Sequence, residues 1–375
     1  MGRSPICVLI AGGGTGGHVY PMLAVGEAVR AADRDASVFY VGTAKGLEAK
    51  AIPAARGDLE LLDVAPLRGG GVRGFARGVA RAFAVLPEAR RLVAKRRPDV
   101  VLSVGGYAAG PISLAARLAG VPVTLLEPNG VLGLSNRLLA PFVRRAYTAF
   151  GELDRKFSKE KGRAFGVPLR SAFARAPYEP APDRFRILVL GGSQGADHFN
   201  KTLPETFARV VEKIPHATIV HQTGRGRMDE VKAAYVNLGY TPKPIAVSKA
   251  PVRVDDFIDD VAGQISRADV VLQRAGASSL AELCAIGRAS VLVPFPFAAD
   301  QHQLANARSL ERAGAAVAIE QRSADPATLS DQLVTLGRDP ARRVAMASAA
   351  AALGRPRAAR DIAEDLLALA RERRV

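Results

Sequence analysis

Two glycine-rich turns have the composition and spacing of phosphate-binding loops. The first runs from Gly12 to His18 with the sequence GGGTGGH, and the second runs from Gly191 to Ala196 with the sequence GGSQGA. Each turn follows a short apolar run and precedes a helix-like segment. Glycine lets the backbone approach a ligand, and the first N–H groups of a helix are unpaired and carry partial positive charge. Each turn therefore predicts a phosphate site, and the duplication predicts two similar halves.

Two common phosphate chemistries do not fit these turns. Gly12, Gly14 and Gly17 match the spacing of a dinucleotide fingerprint, but such a site also needs a carboxylate at the end of the second strand. That strand ends in the sequence VGTAK, which has no acid, and Asp33 and Asp35 precede it. No P-loop lysine follows either turn. A nicotinamide enzyme and an ATPase are therefore disfavoured, and no His/Cys cluster has metal-ligand spacing.

Apolar runs alternate with helical segments in both halves of the chain, which is typical of parallel sheets covered by helices on both faces. The predicted strands are residues 6–11, 37–41, 59–64, 100–104, 121–126, 185–190, 217–221, 269–272 and 290–294. The predicted helices are residues 21–32, 73–95, 111–119, 197–213, 228–238, 279–286 and 301–313, with a helical C-terminal part from residue 326. The sequence thus predicts an α/β protein with two doubly wound domains, whose mostly parallel sheets face each other across a cleft. Ligands in such sheets bind beyond the carboxyl ends of the strands.

Bulk composition narrows the class further. The 375 residues are long for one core, so two domains are expected. The two cysteines, Cys7 and Cys284, make no disulfide framework and fit a reducing compartment. No apolar run approaches the roughly 18 residues of a spanning helix, and no secretory signal is present. We expect a cytosolic protein unless it binds a membrane surface.

The net charge of +16 indicates an anionic partner, and part of that charge is concentrated from Arg68 to Arg97, where nine Lys or Arg accompany one carboxylate. Apolar and basic side chains there recur every four residues on nearly opposite sides of a predicted helix: Phe75, Val79 and Phe83 against Arg73, Arg77 and Arg81. The segment fits an anionic phospholipid surface, or a helix packed on the core with solvated arginines. Nucleic acid is disfavoured because the chain has no tryptophan and no aromatic-studded basic surface.

Several motifs together resemble one known family. They are GGGTGGHVYPMLAVGEAVR, VGGYAAGP, LEPNGVLGLSNRLLA, GGSQGA, FIDD, RAGASSLAEL and DQHQLANA. In order and spacing they are similar to the MurG family of bacterial peptidoglycan glycosyltransferases, in glycosyltransferase family 28, from about Ile6 to Ala316. The resemblance implies a GT-B fold and transfer of N-acetylglucosamine from UDP-GlcNAc to lipid I, giving lipid II. It also implies inversion at the sugar, no metal or other cofactor, and peripheral attachment to the inner face of the cytoplasmic membrane.

The resemblance also implies a division of the chain. Residues 1–166 would form the acceptor and membrane-binding domain, and residues 167–354 would bind UDP-GlcNAc. Residues 355–375 would form a C-terminal helix that packs back on the N-terminal domain.

An inverting transfer needs a base to accept the proton of the attacking hydroxyl. His18 is the first candidate, since an unperturbed histidine has a pKa of about 6.5. A histidine that only orders the loop is the alternative. Glu127 is the second candidate base, and its alternative is a structural carboxylate that caps the following turn.

On the donor side, the second turn with Ser193 would hold the diphosphate, and Arg170 is the cationic candidate. Glu282 would bind the ribose hydroxyls, although Ser279 and Glu282 also have the spacing of a capping box. Gln303 and Asn306 would bind sugar hydroxyls, and the backbone of Ile258 would recognise uracil. The remaining positions that the resemblance implies are Thr15, Gly16 and Gly17 near the acceptor diphosphate, and Tyr107, Asn129, Asn136, Asn200, Arg274, Ala277, Ser278, Leu280 and Ala281.

The chain departs from the family at two places. Pro128 stands where the family usually has glutamine, and Val167 lies in Gly-Val-Pro-Leu where Gly-Asn-Pro-Val is common. These departures leave details of acceptor and phosphate contact open. Two alternatives remain: a related GT-B enzyme with another lipid acceptor such as diacylglycerol, and a non-catalytic binding protein for nucleotide sugar or nucleic acid.

Overall fold

The structure, a computed structural model, describes residues 5–64, 84–106, 108–149, 153, 155–192, 196–242, 251–298 and 301–374. The chain divides into two compact units. The first comprises Met1–Arg170 with Arg355–Val375, and the second comprises Ser171–Gly354. The first unit thus extends to Arg170 rather than to residue 166. Residues 65–83 lie outside the described residues, and they include the predicted apolar and basic stripes of the basic segment.

The described part of the first unit contains a seven-stranded parallel sheet in the order β3-β2-β1-β4-β5-β6-β7. The strands are β1 (Cys7–Ala11), β2 (Ser37–Gly42), β3 (Asp58–Leu61), β4 (Val100–Ser103), β5 (Val123–Glu127), β6 (Arg145–Thr148) and β7 (Gly162–Arg163). The helices are α1 (Gly16–Ala32), α2 (Glu48–Ala54), α3 (Leu86–Arg96), α4 (Ala109–Leu118), α5 (Leu134–Leu139) and, at the end of the chain, α13 (Ala358–Arg373). The central strands β1, β4 and β5 are buried throughout, because helices cover both faces of a parallel sheet.

Helix α1 begins earlier than the sequence predicts. The prediction starts it at Pro21. In the structure Thr15 is the N-cap with extended backbone (φ −122°, ψ 164°), and Pro21 lies inside the helix. His18 therefore belongs to the first turn of α1 instead of a loop.

The second unit repeats the architecture with a six-stranded parallel sheet in the order β10-β9-β8-β11-β12-β13 among its described residues. Its strands are β8 (Phe185–Leu190), β9 (Ala217–Gln222), β10 (Val252–Asp255), β11 (Val270–Gln273), β12 (Ala289–Leu292) and β13 (Ala316–Ala318). Its helices are α6 (Asp197–Lys213), α7 (Met228–Asn237), α8 (Val261–Arg267), α9 (Ala277–Ile286), α10 (His302–Arg312), α11 (Pro326–Arg338) and α12 (Pro340–Leu353). The α/β class with two doubly wound domains is confirmed.

Each sheet has a strand-order reversal beside its first strand. In the first unit β1 pairs with β2 on one side and with β4 on the other, and in the second unit β8 pairs with β9 and β11. Open α/β sheets bind ligands at such switch points, outside the carboxyl ends of the strands. Both glycine-rich turns directly follow the strand at the switch point.

The last helix, α13, packs on the first unit. Ile362, Leu366 and Leu369 are buried in the same core cluster as strand β1. The hydroxyl of Tyr147 donates a hydrogen bond of 2.7 Å to Asp365, and Arg374 forms an ion pair of 2.6 Å with Asp99. Within the described ranges, no helix is both long enough and apolar enough to cross a bilayer.

Candidate functional site

The first candidate site lies where β1, β4 and β5 end. Backbone of the glycine turn after β1 meets backbone of the loop after β4 there. A Cβ on Gly106 would lie 2.5 Å from the carbonyl oxygen of Gly13, so this close approach requires glycine. The carboxyl end of β5 adds Glu127 to the same edge, because parallel strands end together.

The first turn is shaped to present the start of α1. Gly13 and Gly14 have φ values of 139° and 100°, which disfavour residues with side chains. Thr15 is exposed and makes no side-chain cap, and nothing lies within 4 Å of a Cβ built on Gly14. The open space beside a helix N-terminus suits an anionic group. Thr15, Gly16 and Gly17 therefore lie beside this open space.

His18 lies against the loop after β4. A Cβ built on Gly105 would be 3.5 Å from Nε2 of His18 and 3.6 Å from Nδ2 of Asn136. His18 is half-buried and Asn136 is buried. The candidate base and this amide therefore flank the same backbone position at the strand ends.

Glu127 is engaged in a local hydrogen-bond network. One carboxylate oxygen accepts hydrogen bonds from the backbone and side-chain N–H groups of Asn129, both at 3.1 Å. The other accepts from Gly133 N–H at 2.8 Å and from Asn136 Nδ2 at 3.1 Å. With four donors on a buried carboxylate, the geometry favours the structural role of Glu127 over the role of base. Asn129 and Asn136 belong to the same network.

The cationic candidate Arg170 lies in the first unit. Its guanidinium lies 5.1 Å from the ring centroid of Tyr20, two residues beyond His18 on α1. The ring of Tyr20 in turn lies against Gly16. Arg170 is therefore connected with the first glycine turn through Tyr20. Tyr107 lies outside the described residues.

The second candidate site lies where β8 and β11 end. Gly191 and Gly192 are described, the latter with φ of 83°, whereas Ser193 lies outside the described residues. Asn200, in the first turn of α6, is buried and donates from Nδ2 to the carbonyl of Thr223 at 3.1 Å. This bond ties the helix that follows the second turn to the end of β9.

Helix α9 begins before the position that a capping box with Glu282 would require. Its N-cap is Gly276, and Ser279 is already the third helical residue. The capping box that Ser279 and Glu282 could form is therefore absent, since its serine would have to be the N-cap. The first turns of α9 contain the remaining predicted positions of this motif: Ala277, Ser278, Ser279, Leu280 and Ala281.

Gln303 and Asn306 hold the loop before α9. Oε1 of Gln303 accepts hydrogen bonds from the N–H groups of Ala275 at 3.2 Å and Phe295 at 3.0 Å. Nδ2 of Asn306 donates to the carbonyl of Ala275 at 3.1 Å, and Asn306 is fully buried. The carbonyl of Gln303 is thus committed to the protein, which orients its amide NH₂. Asn306 acts on the loop and not at the surface of the site.

Arg274 is a desolvated cation at the same strand end. It donates to the carbonyl of Val293 at 3.0 Å and to Oε1 of Gln321 at 2.7 Å, and its guanidinium lies 4.8 Å from the ring centroid of Phe199. Burial lowers its pKa to about 10. Its neighbours are neutral groups, so it adds positive potential to this site.

The side chain of Ile258 is buried and precedes the Asp260 side chain that caps α8, so only its backbone is suited to recognition. Among the residues that the structure describes, no group of three or more His, Cys, Asp or Glu is arranged to hold a metal ion.

Glu48 is a site residue that the sequence analysis misses. Its carboxylate is fully buried and accepts a hydrogen bond of 2.7 Å from the N–H of Gly14, in the first turn. An acid after the second strand, among glycines, is the signal that could have pointed to it. A dinucleotide fingerprint requires its carboxylate at the end of the second strand. Glu48 lies beyond that position, so the fingerprint gives it no role.

Family models match both units. The model described as the glycosyltransferase family 28 N-terminal domain matches residues 8–148. The model described as the glycosyltransferase family 28 C-terminal domain matches residues 186–365. Each match contains one of the two strand-end sites.

The chain is also similar to individual proteins and to a solved structure. A Sorangium cellulosum (strain So ce56) protein named UDP-N-acetylglucosamine--N-acetylmuramyl-(pentapeptide) pyrophosphoryl-undecaprenol N-acetylglucosamine transferase is 58% identical over 98% of this chain and 89% of the relative. A protein of the same name from Anaeromyxobacter sp. (strain Fw109-5) is 41% identical over 98% of this chain and 94% of the relative. The crystal structure of MurG from Acinetobacter baumannii has a TM-score of 0.80 at 29% identity, covering 97% of this chain and 100% of that chain.

Proposed function

The chain belongs to glycosyltransferase family 28, and from this membership we propose that it transfers N-acetylglucosamine from UDP-GlcNAc to lipid I, giving lipid II and UDP. The observation that carries the proposal is the 58% identity, over 98% of the chain, to a relative named for this reaction. The aligned region spans both units. The alternative with diacylglycerol as acceptor has no comparable support.

The second unit binds the donor in this proposal. The glycine turn after β8 and the N-terminus of α9 provide backbone N–H groups for the diphosphate. Glu282 accepts hydrogen bonds from the ribose hydroxyls, and the absence of a capping box supports this role because the carboxylate is not needed at the N-cap. Gln303, whose carbonyl is held by Ala275 and Phe295, directs its NH₂ group to a sugar hydroxyl.

The first unit binds the acceptor. The open space at the start of α1 accommodates the acceptor diphosphate, and Arg170 is the nearby cation. His18 accepts the proton of the attacking hydroxyl while a bond forms between that oxygen and the anomeric carbon. The bond from this carbon to UDP breaks at the same time, and UDP leaves on the opposite face, which inverts the sugar.

UDP leaves as a charged group, so positive potential must converge on it. Helix N-termini stabilise anions by about 0.3–2 kcal/mol each, so one terminus is insufficient. We assign the remaining stabilisation to the N–H groups of α9 and to the potential of Arg274, whose own contacts are to neutral groups. In this proposal no metal ion or other cofactor takes part.

We further propose that the protein acts at the cytoplasmic face of the membrane as a peripheral protein. Besides the basic segment from Arg68 to Arg97, the described surface of the first unit supports this. Leu118 and Phe142 expose 57% and 60% of their surface, although large apolar side chains are usually buried. Phe142 shares a groove with the cations of Arg117, Arg144 and Lys161. Apolar and basic groups together suit an anionic lipid surface.

One assay tests the reaction. UDP release from UDP-GlcNAc is measured with a lipid I analogue, without acceptor, and with diacylglycerol, each in the presence of a metal chelator. We expect release only with the lipid I analogue. UDP release with diacylglycerol but not with the lipid I analogue would overturn the assignment, and so would UDP release that does not depend on any acceptor. A requirement for a divalent ion would overturn the proposal that the reaction is metal-free.

Membrane attachment is tested separately by co-sedimentation with anionic and neutral vesicles. We expect Phe142→Asp to weaken binding to anionic vesicles. Phe297→Asp, which changes an aromatic side chain of the second unit that is 83% exposed, serves as the matched control. Equal binding by both variants at every salt concentration would contradict the role of the Phe142 surface.

A further inference from the structure

A buried carboxylate, that of Glu48, binds the buried side of the first glycine turn. Oε2 of Glu48 accepts a hydrogen bond of 2.7 Å from Gly14 N–H. Oε1 accepts from the backbone N–H of Thr43 at 2.9 Å and from its hydroxyl at 2.8 Å. Glu48 is fully buried at the first position of α2. Within the described residues its carboxylate has these three donors and no ion pair.

Glycines enclose this carboxylate on several sides. A Cβ built on Gly13, Gly42 or Gly46 would overlap the side chain of Glu48. Gly13 comes from the loop after β1, whereas the other two flank the loop after β2. The two loops therefore lack side chains where Glu48 needs the space. A buried charge is costly unless it is hydrogen-bonded. The buried position of Glu48 is therefore stable only while the three donors from Gly14 and Thr43 are in place.

The peptide groups of Gly14 are held on both sides by the start of α2. Its N–H is bound by Glu48, and its carbonyl accepts a hydrogen bond of 3.4 Å from Leu47 N–H. Gly14 has a φ of 100° and directly precedes Thr15, the N-cap of α1. The direction in which α1 presents its first N–H groups and His18 thus depends on this clamp.

We propose that Glu48 is a positioning residue for the acceptor half of the reaction. Its carboxylate takes the place that a bound anion would take on the buried side of the turn, so the turn has its shape before substrate arrives. The exposed side of the same turn, from Thr15 to His18, then meets the acceptor without reorganisation. This role rests on the proposed function, because it needs an acceptor at that turn.

Glu48→Gln tests the role with minimal change in shape. The amide oxygen can keep the two donors of Thr43, which leaves the NH₂ group facing Gly14 N–H. Two donors then oppose each other, so the variant releases Gly14 selectively. We expect kcat with the lipid I analogue to fall about 10- to 100-fold, because small misplacements of reacting groups have effects of this size. The KM for UDP-GlcNAc should stay unchanged, since the donor binds to the second unit.

Asp99→Asn is the matched control for lost stability. Asp99 is also a buried carboxylate of the first unit and accepts a hydrogen bond of 2.8 Å from Cys7 N–H. It directly precedes β4 and therefore lies at the amino ends of the strands, away from the candidate site at their carboxyl ends. Both variants should unfold more easily, and only Glu48→Gln should lose kcat per folded molecule. Equal kcat in the two variants, measured well below their melting temperatures, would overturn the proposal.

Thr43→Val covers the case in which Glu48→Gln does not fold. It removes only the hydroxyl donor, and we expect a smaller loss of kcat, about 2- to 5-fold, with the donor KM unchanged. A kcat equal to that of wild type would overturn the role of Glu48. If instead the wild-type protein shows no acceptor-dependent UDP release, the proposed function fails, and the two failures are thus distinguished.

Discussion

The carboxylate of Glu127 accepts a hydrogen bond of 3.1 Å from the side-chain amide of Asn136 in a buried position. This bond joins the end of β5 to the first turns of α5. The hydroxyl of Ser103 also donates to the amide oxygen of Asn136, at 3.3 Å. Three segments that end at the first candidate site are therefore fixed to one another by side chains.

Replacing Glu127 by glutamine should destabilise the protein. One oxygen that accepts two hydrogen bonds becomes an NH₂ group that faces two donors, which costs about 1–3 kcal/mol. Urea unfolding measures this loss, with Glu160→Gln, a change at an exposed acid of the same unit, as the control. A Glu127→Gln protein that is as stable as wild type but inactive would instead indicate that Glu127 is the base.

Replacing His18 by alanine should remove the base. We expect the turnover rate to fall about 10²- to 10⁴-fold, the usual contribution of general base catalysis, with donor binding unchanged. UDP release with the lipid I analogue measures the effect. His216→Ala, which changes an exposed histidine after α6, should retain full activity. Turnover by the His18→Ala variant near the wild-type rate would exclude the assignment.

Replacing Glu282 by alanine should weaken donor binding. Loss of hydrogen bonds to a charged group should raise the Kd for UDP about 10- to 100-fold, as measured by titration calorimetry. The substitution removes no capping box, because the N-cap of α9 is Gly276. Glu230→Ala, at an exposed acid in the first turn of α7, is the control. An unchanged Kd for UDP would contradict ribose binding by Glu282.

Acid should destabilise the second unit through His221. Complete burial lowers its pKa from 6.5 to about 3. Its Nδ1 lies 3.3 Å from the hydroxyl of Tyr235, and its Nε2 has no hydrogen-bond partner among the described residues. The unfolded chain therefore binds the proton more readily than the folded protein. Stability is fully present above the unfolded pKa, and it falls as the pH drops from there toward the folded value.

This linkage is worth about 2 kcal/mol between pH 7 and pH 5. Urea unfolding at the two pH values measures it. His221→Asn should unfold more easily at pH 7 and lose most of the dependence on pH, whereas His216→Asn should keep it. The same fall in stability in both variants would show that other groups cause it.

The sequence predicts the central strands well and the sheet edges poorly. Continuous apolar runs identify β1, β4, β8 and β11, because these strands are buried on both faces. Strand β10 has the sequence VRVD, and the pairing of Arg253 with Asp255 at the sheet edge interrupts the apolar pattern. Strands β6, β7 and β13 are short edge or near-edge strands and are missed as well.

Some residues of the candidate site can likewise be predicted from the sequence, whereas others cannot. Roles for residues in local motifs, such as His18 and Glu282, can be proposed from the resemblance alone. The role of Glu48 cannot, because it depends on Gly13 and Gly42, which come from different loops and meet only in the folded sheet. The N-cap of α9 at Gly276 is likewise not evident from a pattern that also fits a capping box.

Helix α13 packs on the first unit but is synthesised after the second unit. The first unit is therefore begun first on the ribosome but can complete its fold only after the second unit has been made. The second unit is one continuous segment, whereas the core of the first unit includes Ile362 and Leu366 near the end of the chain. Domains generally fold as units while the ribosome extends the chain. We therefore expect the second unit to fold first. Until the residues of α13 have been synthesised, the apolar face of the first unit that this helix covers remains accessible to chaperones.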